Sequence, residues 1–278
     1  MQLFNDKAAP YQVHFDAFGV RMRVATNLPD LLDRVEEMMP PGADRRARFE
    51  TDQRLAIVGD PDNDMYSVYR YDGACIHDAP GRDYALIMLE SQIHGHVALE
   101  APNHIFIHAG VVGDGNRAIV IPGMSFSGKT TLVRALVQAG ATYYSDEFAV
   151  LDEEGLVHPY PRRLSIRPLL VGDSTTLTDP TVETAVEELG GTAAAGPVAV
   201  GMVLLTHYVP GAEWRPQEIR GGSKALGLLE HAVPVRERPE QTMRYVTAAV
   251  ADARVFEGER GDADELAGVL LETLRSLA

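Results

Sequence analysis

The segment "GMSFSGKTTL", Gly123 to Leu132, packs two glycines, a lysine and two threonines between an apolar run and an amphipathic one. Its spacing is G-x-x-x-x-G-K-T, with Gly123, Gly128, Lys129 and Thr130 in the defining positions. A bare match of this kind arises by chance, so the flanks decide. Before it, "NRAIVIPG" reads as a buried strand. After it, "TLVRALVQAG" reads as a helix with Leu132, Leu136 and Val137 on one face, stopped by Gly140. Strand, glycine loop and helix together make the context of a phosphate-binding loop. Glycines let the backbone curl so that successive N–H groups face one anion, and the helix N-terminus adds its positive dipole end. The expected nucleotide-binding residues are Gly123, Ser125, Phe126, Ser127, Gly128, Lys129, Thr130 and Thr131. Lys129 would reach the β- and γ-phosphates of ATP, and the Thr130 hydroxyl would hold Mg2+.

Bulk properties narrow the partners. The formal net charge of −15 disfavours nucleic acid, which needs lysine and arginine stripes, but leaves ATP open because the loop handles its phosphates locally. No run approaches the ~20 apolar residues that cross a bilayer, and "MQLFNDKAAPYQV" lacks the basic-then-apolar order of a signal peptide. The single cysteine, Cys75, has no internal disulfide partner and fits a reducing compartment. A cytoplasmic protein with no membrane partner is expected.

Outward from the loop, the chain divides in two. Residues 11–25 alternate around "DAFG" as a hairpin, "LPDLLDRVEEMMPP" reads as a helix, and short strands follow near Leu55–Val58, Tyr66–Tyr69 and Ala74–Ile76. Residues 1–82 therefore read as a small, mostly β N-terminal module. A helix over 83–101, with Leu86, Ile87, Leu89, Ile93 and Val97 inward, is expected to bridge to a second domain spanning 83–278. That domain opens with two strands around "GDGN" and the loop helix. Next come a strand, a turn and a further strand over "ATYYSDEFAVLDEEGLVHPYP", then an apolar strand at "VAVGMVLLTHYVPG". Helices at Ser223–His231, Pro239–Asp252 and Asp264–Leu277 close it, the last with Leu266, Val269, Leu270, Leu274 and Leu277 as an apolar stripe. The weakly patterned segment 184–197 reads equally as a mobile loop over the site or as a flexible connection.

Carboxylates decide what a phosphate loop is for. Asp146 and Glu147 stand at the end of the strand that follows the loop helix. Phosphoryl transfer asks for one carboxylate to take or orient the acceptor's proton and another to help hold magnesium. His108, in "FIHAGVV", lies at the mouth of the strand pair leading into the loop. His104 and His108 are ~13 Å apart along a strand, too far for one metal. Arg162, Arg163 and Arg167 offer planar forks for phosphate or substrate oxygens, with a surface or structural role equally open.

The run "HAGVV…GNRAIVIPGMSFSGKTTLVRALVQAGATYYSDEFAVLD…GLVHPYPRRLSIR" resembles the catalytic domain of HPr kinase/phosphorylase and its diverged relatives. The resemblance covers about residues 104–168. It implies an α/β, PEP-carboxykinase-like P-loop nucleotide-binding domain. Residue by residue, His108 matches the family's histidine, Gly123 to Thr130 its loop, Asp146 its acid/base and Glu147 the neighbouring acid, usually aspartate. The catalytic set is then Asp146, Lys129 and His108, with Thr130 and Glu147 on the metal. Three departures stand out: glutamate in the second acidic position, "PYPRRLSIRP" where the family has a glycine-containing signature, and an N-terminal module not recognisable as that of the parent enzyme. HPr itself is therefore not the expected acceptor.

Together these imply a kinase using ATP and Mg2+ to phosphorylate a hydroxyl, with serine of a peptide or small protein ahead of a small molecule. The resemblance also allows for a homo-oligomer. Two rivals stay open: a nucleotide-binding regulatory or scaffold protein with little turnover, and a phosphorylase or phosphatase running the same site in reverse.

Overall fold

The computed structural model describes residues 8–46, 48–51, 53–70, 72–124, 127–166 and 182–277, so Ser125, Phe126 and Arg167 lie outside the described residues. Contacts divide the chain into two compact units, 1–103 and 104–278.

The first unit is built on a six-stranded sheet. β1 (Tyr11–Ala17) and β2 (Val20–Thr26) form the expected hairpin, turned by Phe18 and Gly19 at positive φ (51° and 80°). That sign at both central residues suits the right-handed twist of the strands. A short 3-10 turn runs into α1 (Leu32–Glu37). β3 (Asp44–Arg45), β4 (Arg54–Asp60), β5 (Met65–Tyr69) and β6 (Cys75–Pro80) complete the order β3-β1-β2-β4-β5-β6. α2 (Arg82–Glu100) packs on β4, β5 and β6. The helix read as a bridge within 83–278 therefore joins the first unit's core, through Ala85, Leu86, Leu89, Ile93 and Val97. Ile87, expected inward, is 59% exposed, because the buried stripe follows positions 86, 89, 93 and 97. His94 and His96 are both buried and structural. His94 Nε2 donates to the Met38 carbonyl at 3.0 Å, and His96 pairs with Gln53.

The second unit holds an eight-stranded sheet. β7 (Ile105–Asp114) and β8 (Arg117–Pro122) are antiparallel neighbours, and β8 runs into α3 (Lys129–Gln138) through residues 123–128. β9 (Thr142–Ser145), β10 (Phe148–Leu151) and β11 (Leu156–His158) follow, then the small pair β12 (Leu164–Ile166) and β13 (Val182–Thr184). β14 (Val198–Tyr208) lies parallel to β8 on one side and to β16 (Arg254–Arg260) on the other, with β15 (Gln217–Ile219) at the edge. β11 also pairs with β14, so β10, β7, β8, β14 and β11 close into a ring of hydrogen-bonded strands. α4 (Ser223–Leu229), α5 (Pro239–Val250) and α6 (Ala263–Ser276) complete the unit.

Side-chain alternation along the strands builds two cores. Ile105, Ile107, Ala109 and Val111 of β7 pack with Val203, Tyr245 and Val246, while Ile119 and Ile121 of β8 pack with Leu132, Leu136, Leu266 and Leu270. α3 lies close over β7: a Cβ on Gly110 would stand 2.5 Å from Val133 Cγ2. Val269 faces out at 51% exposure, so the α6 stripe runs instead through Leu266, Ala267, Leu270, Leu271 and Leu274. Segment 184–197 carries a sheet pairing that the sequence did not suggest. Its backbone pairs with β9, Tyr143 N–H donating to Thr192 O at 2.9 Å and Ala194 N–H to Tyr143 O at 2.8 Å. Among the described residues, no helix is long and apolar enough to cross a membrane.

Candidate functional site

The acidic pair sits in a bend, not at a free strand end. β9 and β10 both pair with β7, β9 against Val111–Gly113 and β10 against Ile105–His108. Between them the chain leaves the sheet. The Ser145 hydroxyl oxygen accepts the N–H groups of Glu147 (3.1 Å) and Phe148 (2.9 Å). A serine that captures its own downstream amides competes with the strand ladder and turns the chain. Asp146 and Glu147 are thereby projected at the level of His108, with Ala109 N–H still donating to Glu147 O at 3.1 Å.

α3 meets that bend with its first turn. Thr130 Oγ1 donates to Asp146 Oδ2 at 3.2 Å. Tyr143, fully buried on β9, presents its hydroxyl 2.9 Å from Asp146 Oδ1 and 3.0 Å from the Arg162 carbonyl. One phenolic hydrogen cannot serve both acceptors at once. With Asp146 ionised it goes to the carboxylate; with Asp146 protonated, the tyrosine accepts and its own hydrogen turns to Arg162 O. Burial pushes the Asp146 carboxyl above the usual range, opposed by the hydrogen bonds from Tyr143 and Thr130 and by the Arg162 charge. Burial, then the Asp146 charge, drive the Tyr143 hydroxyl far up, so it stays protonated.

A test of this wiring is Tyr143→Phe. Removing a hydrogen bond that stabilises the carboxylate raises the Asp146 pKa further. A base works only when deprotonated, so if Asp146 serves as one in a reaction at this site, the acid limb of the kcat/KM profile should move to higher pH. An unmoved limb would show that Asp146 is not the group titrating there.

The loop shows what the glycine spacing is for. A Cβ on Gly123 would stand 2.7 Å from Ser127 Oγ, and that hydroxyl is buried with no hydrogen-bond partner among the described residues. Gly128 takes the left-handed conformation (φ 81°) just before α3. An orphaned buried hydroxyl in a glycine-narrowed cradle fits an anionic ligand that would satisfy it. Lys129 Nζ donates to Met124 O at 2.8 Å. Burial lowers its pKa, while the Asp146 and Glu147 charges hold it up. Thr131 is exposed on the first turn of α3.

The arginines separate. Arg162 forms an ion pair with Glu147, so the second acid is held by a guanidinium. Arg163 turns away to Glu183 O (3.1 Å) and Glu188 Oε1 (2.9 Å). For magnesium, the residues present fit in part. A hydroxyl that binds a cation through its oxygen needs an acceptor for its hydrogen, and Asp146 gives Thr130 one. Glu147 would share its charge with Arg162. No group of three or more His, Cys, Asp or Glu among the described residues is placed to hold a metal, so a cation here would also need phosphate oxygens.

His231 escaped the sequence reading. Ile107 bridges Ala232 in antiparallel register, and His108 N–H donates to His231 O at 2.9 Å. His231 thus stands opposite His108, which stands opposite Phe148 on its other flank. Residues directly opposite share one face of a sheet, so the three form a row beside the loop. The His108 carbonyl in turn accepts Gly123 N–H at 3.1 Å. The His108 ring packs on Phe148 (centroids 4.9 Å apart), and burial, then the Lys129 charge, keep it neutral. Burial also lowers the pKa of His231, against the raising charge of Glu230 and with Lys129 adding to the fall. A strand pairing across 123 residues of chain leaves no local signal to find it by.

No protein-family model and no curated protein matches this chain. Among solved structures, the HPr(Ser) kinase/phosphatase from Coxiella burnetii is similar at 15% sequence identity, covering 62% of this chain and 96% of that one, with a TM-score of 0.34. A likeness that weak carries no argument alone, and the functional reading rests on the loop and the acidic bend.

Proposed function

We propose that the second unit is a kinase that uses ATP and magnesium to phosphorylate a hydroxyl, with serine of a peptide or small protein as the favoured acceptor. The observation that carries this reading is the hydrogen bond from Thr130, on the first turn of α3, to Asp146 in the bend between β9 and β10. It joins a desolvated carboxylate to the first turn after the loop, which supports reading Asp146 as a base, a group that a nucleotide binder without turnover does not need.

In this reading the 123–128 backbone and the α3 N-terminus bind the triphosphate, with Ser127 Oγ gaining its partner. Lys129 leaves the Met124 carbonyl for the phosphates, since a charge-assisted hydrogen bond is the stronger one. Thr130 and Glu147 are the residues that would hold magnesium, which when bound would supply positive charge against the charge developing on transfer. Asp146 accepts the acceptor's proton, and Tyr143 then turns its own hydrogen to Arg162 O. His108, neutral, offers a hydrogen bond near the reacting groups without adding charge. Arg162, paired with Glu147, is the arginine this reading assigns to phosphoryl oxygens.

The test is turnover of MgATP with and without serine-containing peptides and small hydroxyl acceptors. The expected result is magnesium-dependent ADP formation that rises with an acceptor and leaves it phosphorylated. Tight ATP binding with no turnover for any acceptor would favour a regulatory or scaffold role. Turnover only of a phosphorylated acceptor with inorganic phosphate would favour the reverse reaction.

A further inference from the structure

Arg260 is the last residue of β16 and is 2% exposed. Its Nη2 donates to Gly128 O at 2.9 Å and its Nη1 to Gly261 O at 3.3 Å, while its Nε is buried with no partner among the described residues. The guanidinium carbon lies 5.5 Å from the centre of the Tyr208 ring, whose hydroxyl donates to Asp262 at 3.2 Å. Both acceptors are backbone carbonyls, and Arg260 forms no salt bridge among the described residues. A buried cation with no paired carboxylate is costly to keep. Burial pulls its pKa down, Tyr208 and the Asp262 charge oppose that fall, and a guanidinium stays charged in proteins.

The carbonyl it holds is a particular one. Gly128 O also accepts Leu132 N–H at 3.1 Å, so it is the first acceptor of α3. Gly128 has left-handed backbone, and a Cβ there would stand 2.5 Å from Arg260 Nη2. The residue is glycine for its φ and also because a guanidinium lies against it. We propose that Arg260 is a positioning residue for the phosphate loop: it draws the Gly128 carbonyl to the far side, so that the loop's N–H groups stay turned toward a bound nucleotide triphosphate. This rests on the nucleotide-binding reading of residues 123–130. Two general effects support it. Hydrogen bonds from an ionised donor are roughly twice as strong as neutral ones, and a positive charge behind a helix N-terminus adds to the field an anion meets there.

The full chain with Arg260→Met and Arg260→Lys tests this. Methionine keeps much of the bulk, and Gly128 O retains Leu132 N–H, so Arg260→Met should melt near the unaltered protein without nucleotide. With MgATP, its rise in melting temperature should be smaller. Its KM for ATP should increase about tenfold, the order of one hydrogen bond to a charged group, with a lesser change in kcat. Arg260→Lys, with the charge but not the fork, should fall between. An Arg260→Met protein stabilised by MgATP as much as the unaltered one, with the same KM, overturns the inference and leaves the loop assignment standing. If the unaltered protein gains no stability from MgATP, the loop assignment fails and the inference fails with it. Should Arg260→Met not fold, Arg260→Lys decides: a raised KM at unchanged nucleotide-free melting supports the role, and an unaltered KM overturns it.

Discussion

Lys129→Ala is expected to abolish phosphoryl transfer and to weaken ATP binding by about 10- to 100-fold, the range for losing a hydrogen bond between charged groups. The side chain leaves the first residue of α3 and spends its charge on the Met124 carbonyl at 2.8 Å. That contact is local and partly exposed, so its loss should move the melting temperature by only a few degrees. Binding should therefore fail without the fold failing. Calorimetry separates the two: an unchanged ATP affinity in a folded Lys129→Ala protein means that the 123–130 segment is not a nucleotide site. Melting in the absence of ligand serves as the control, since a destabilised variant would lose binding for an unrelated reason.

What could be read from the sequence was local. The order β8, loop, α3 rests on an apolar strand, two glycines and a periodic helix within about twenty residues, and each signal lies beside the next. The hairpin of β1 and β2 was legible for the same reason. The bend at Ser145 was not, because "TYYSDEFAVL" alternates well enough to read as strand running into a turn. Only the serine's capture of two amides breaks it after β9. β16 was missed outright. No element is read from the sequence between the helices at Pro239–Asp252 and Asp264–Leu277, yet "RVFEGER" is a strand between β14 and β15, with Val255 buried and Glu257 exposed. With it went Arg260, whose partner at Gly128 is 132 residues away in the chain. Tyr143 was hidden by its setting: an aromatic in an apolar strand reads as core. Its body is core, but its hydroxyl is bonded to Asp146.

Asp146→Asn is expected to reduce turnover by about 10²- to 10⁴-fold, the usual contribution of a general base. Asparagine keeps the shape and can still accept from either Tyr143 or Thr130, but it cannot take a proton. The carboxylate's contacts run to Tyr143 and Thr130 rather than to the loop backbone, so ATP affinity should change little. The pH profile should change with the rate. In the unaltered protein, activity should rise as Asp146 loses its proton, at a pH lifted above the ordinary carboxylate range by burial. Asp146→Asn should lose that limb, leaving a low rate that is flat across it. Glu147→Gln should keep the limb and differ in metal dependence instead. It removes the charge proposed to face magnesium and breaks the ion pair with Arg162, so more magnesium should be needed and excess metal should restore part of the activity. The two neighbours are adjacent in sequence but face different partners, which is why one experiment can tell them apart. If both variants kept full ATP turnover and the unaltered magnesium dependence, the bend would be an ordinary polar turn. The kinase reading would then lose the observation on which it stands.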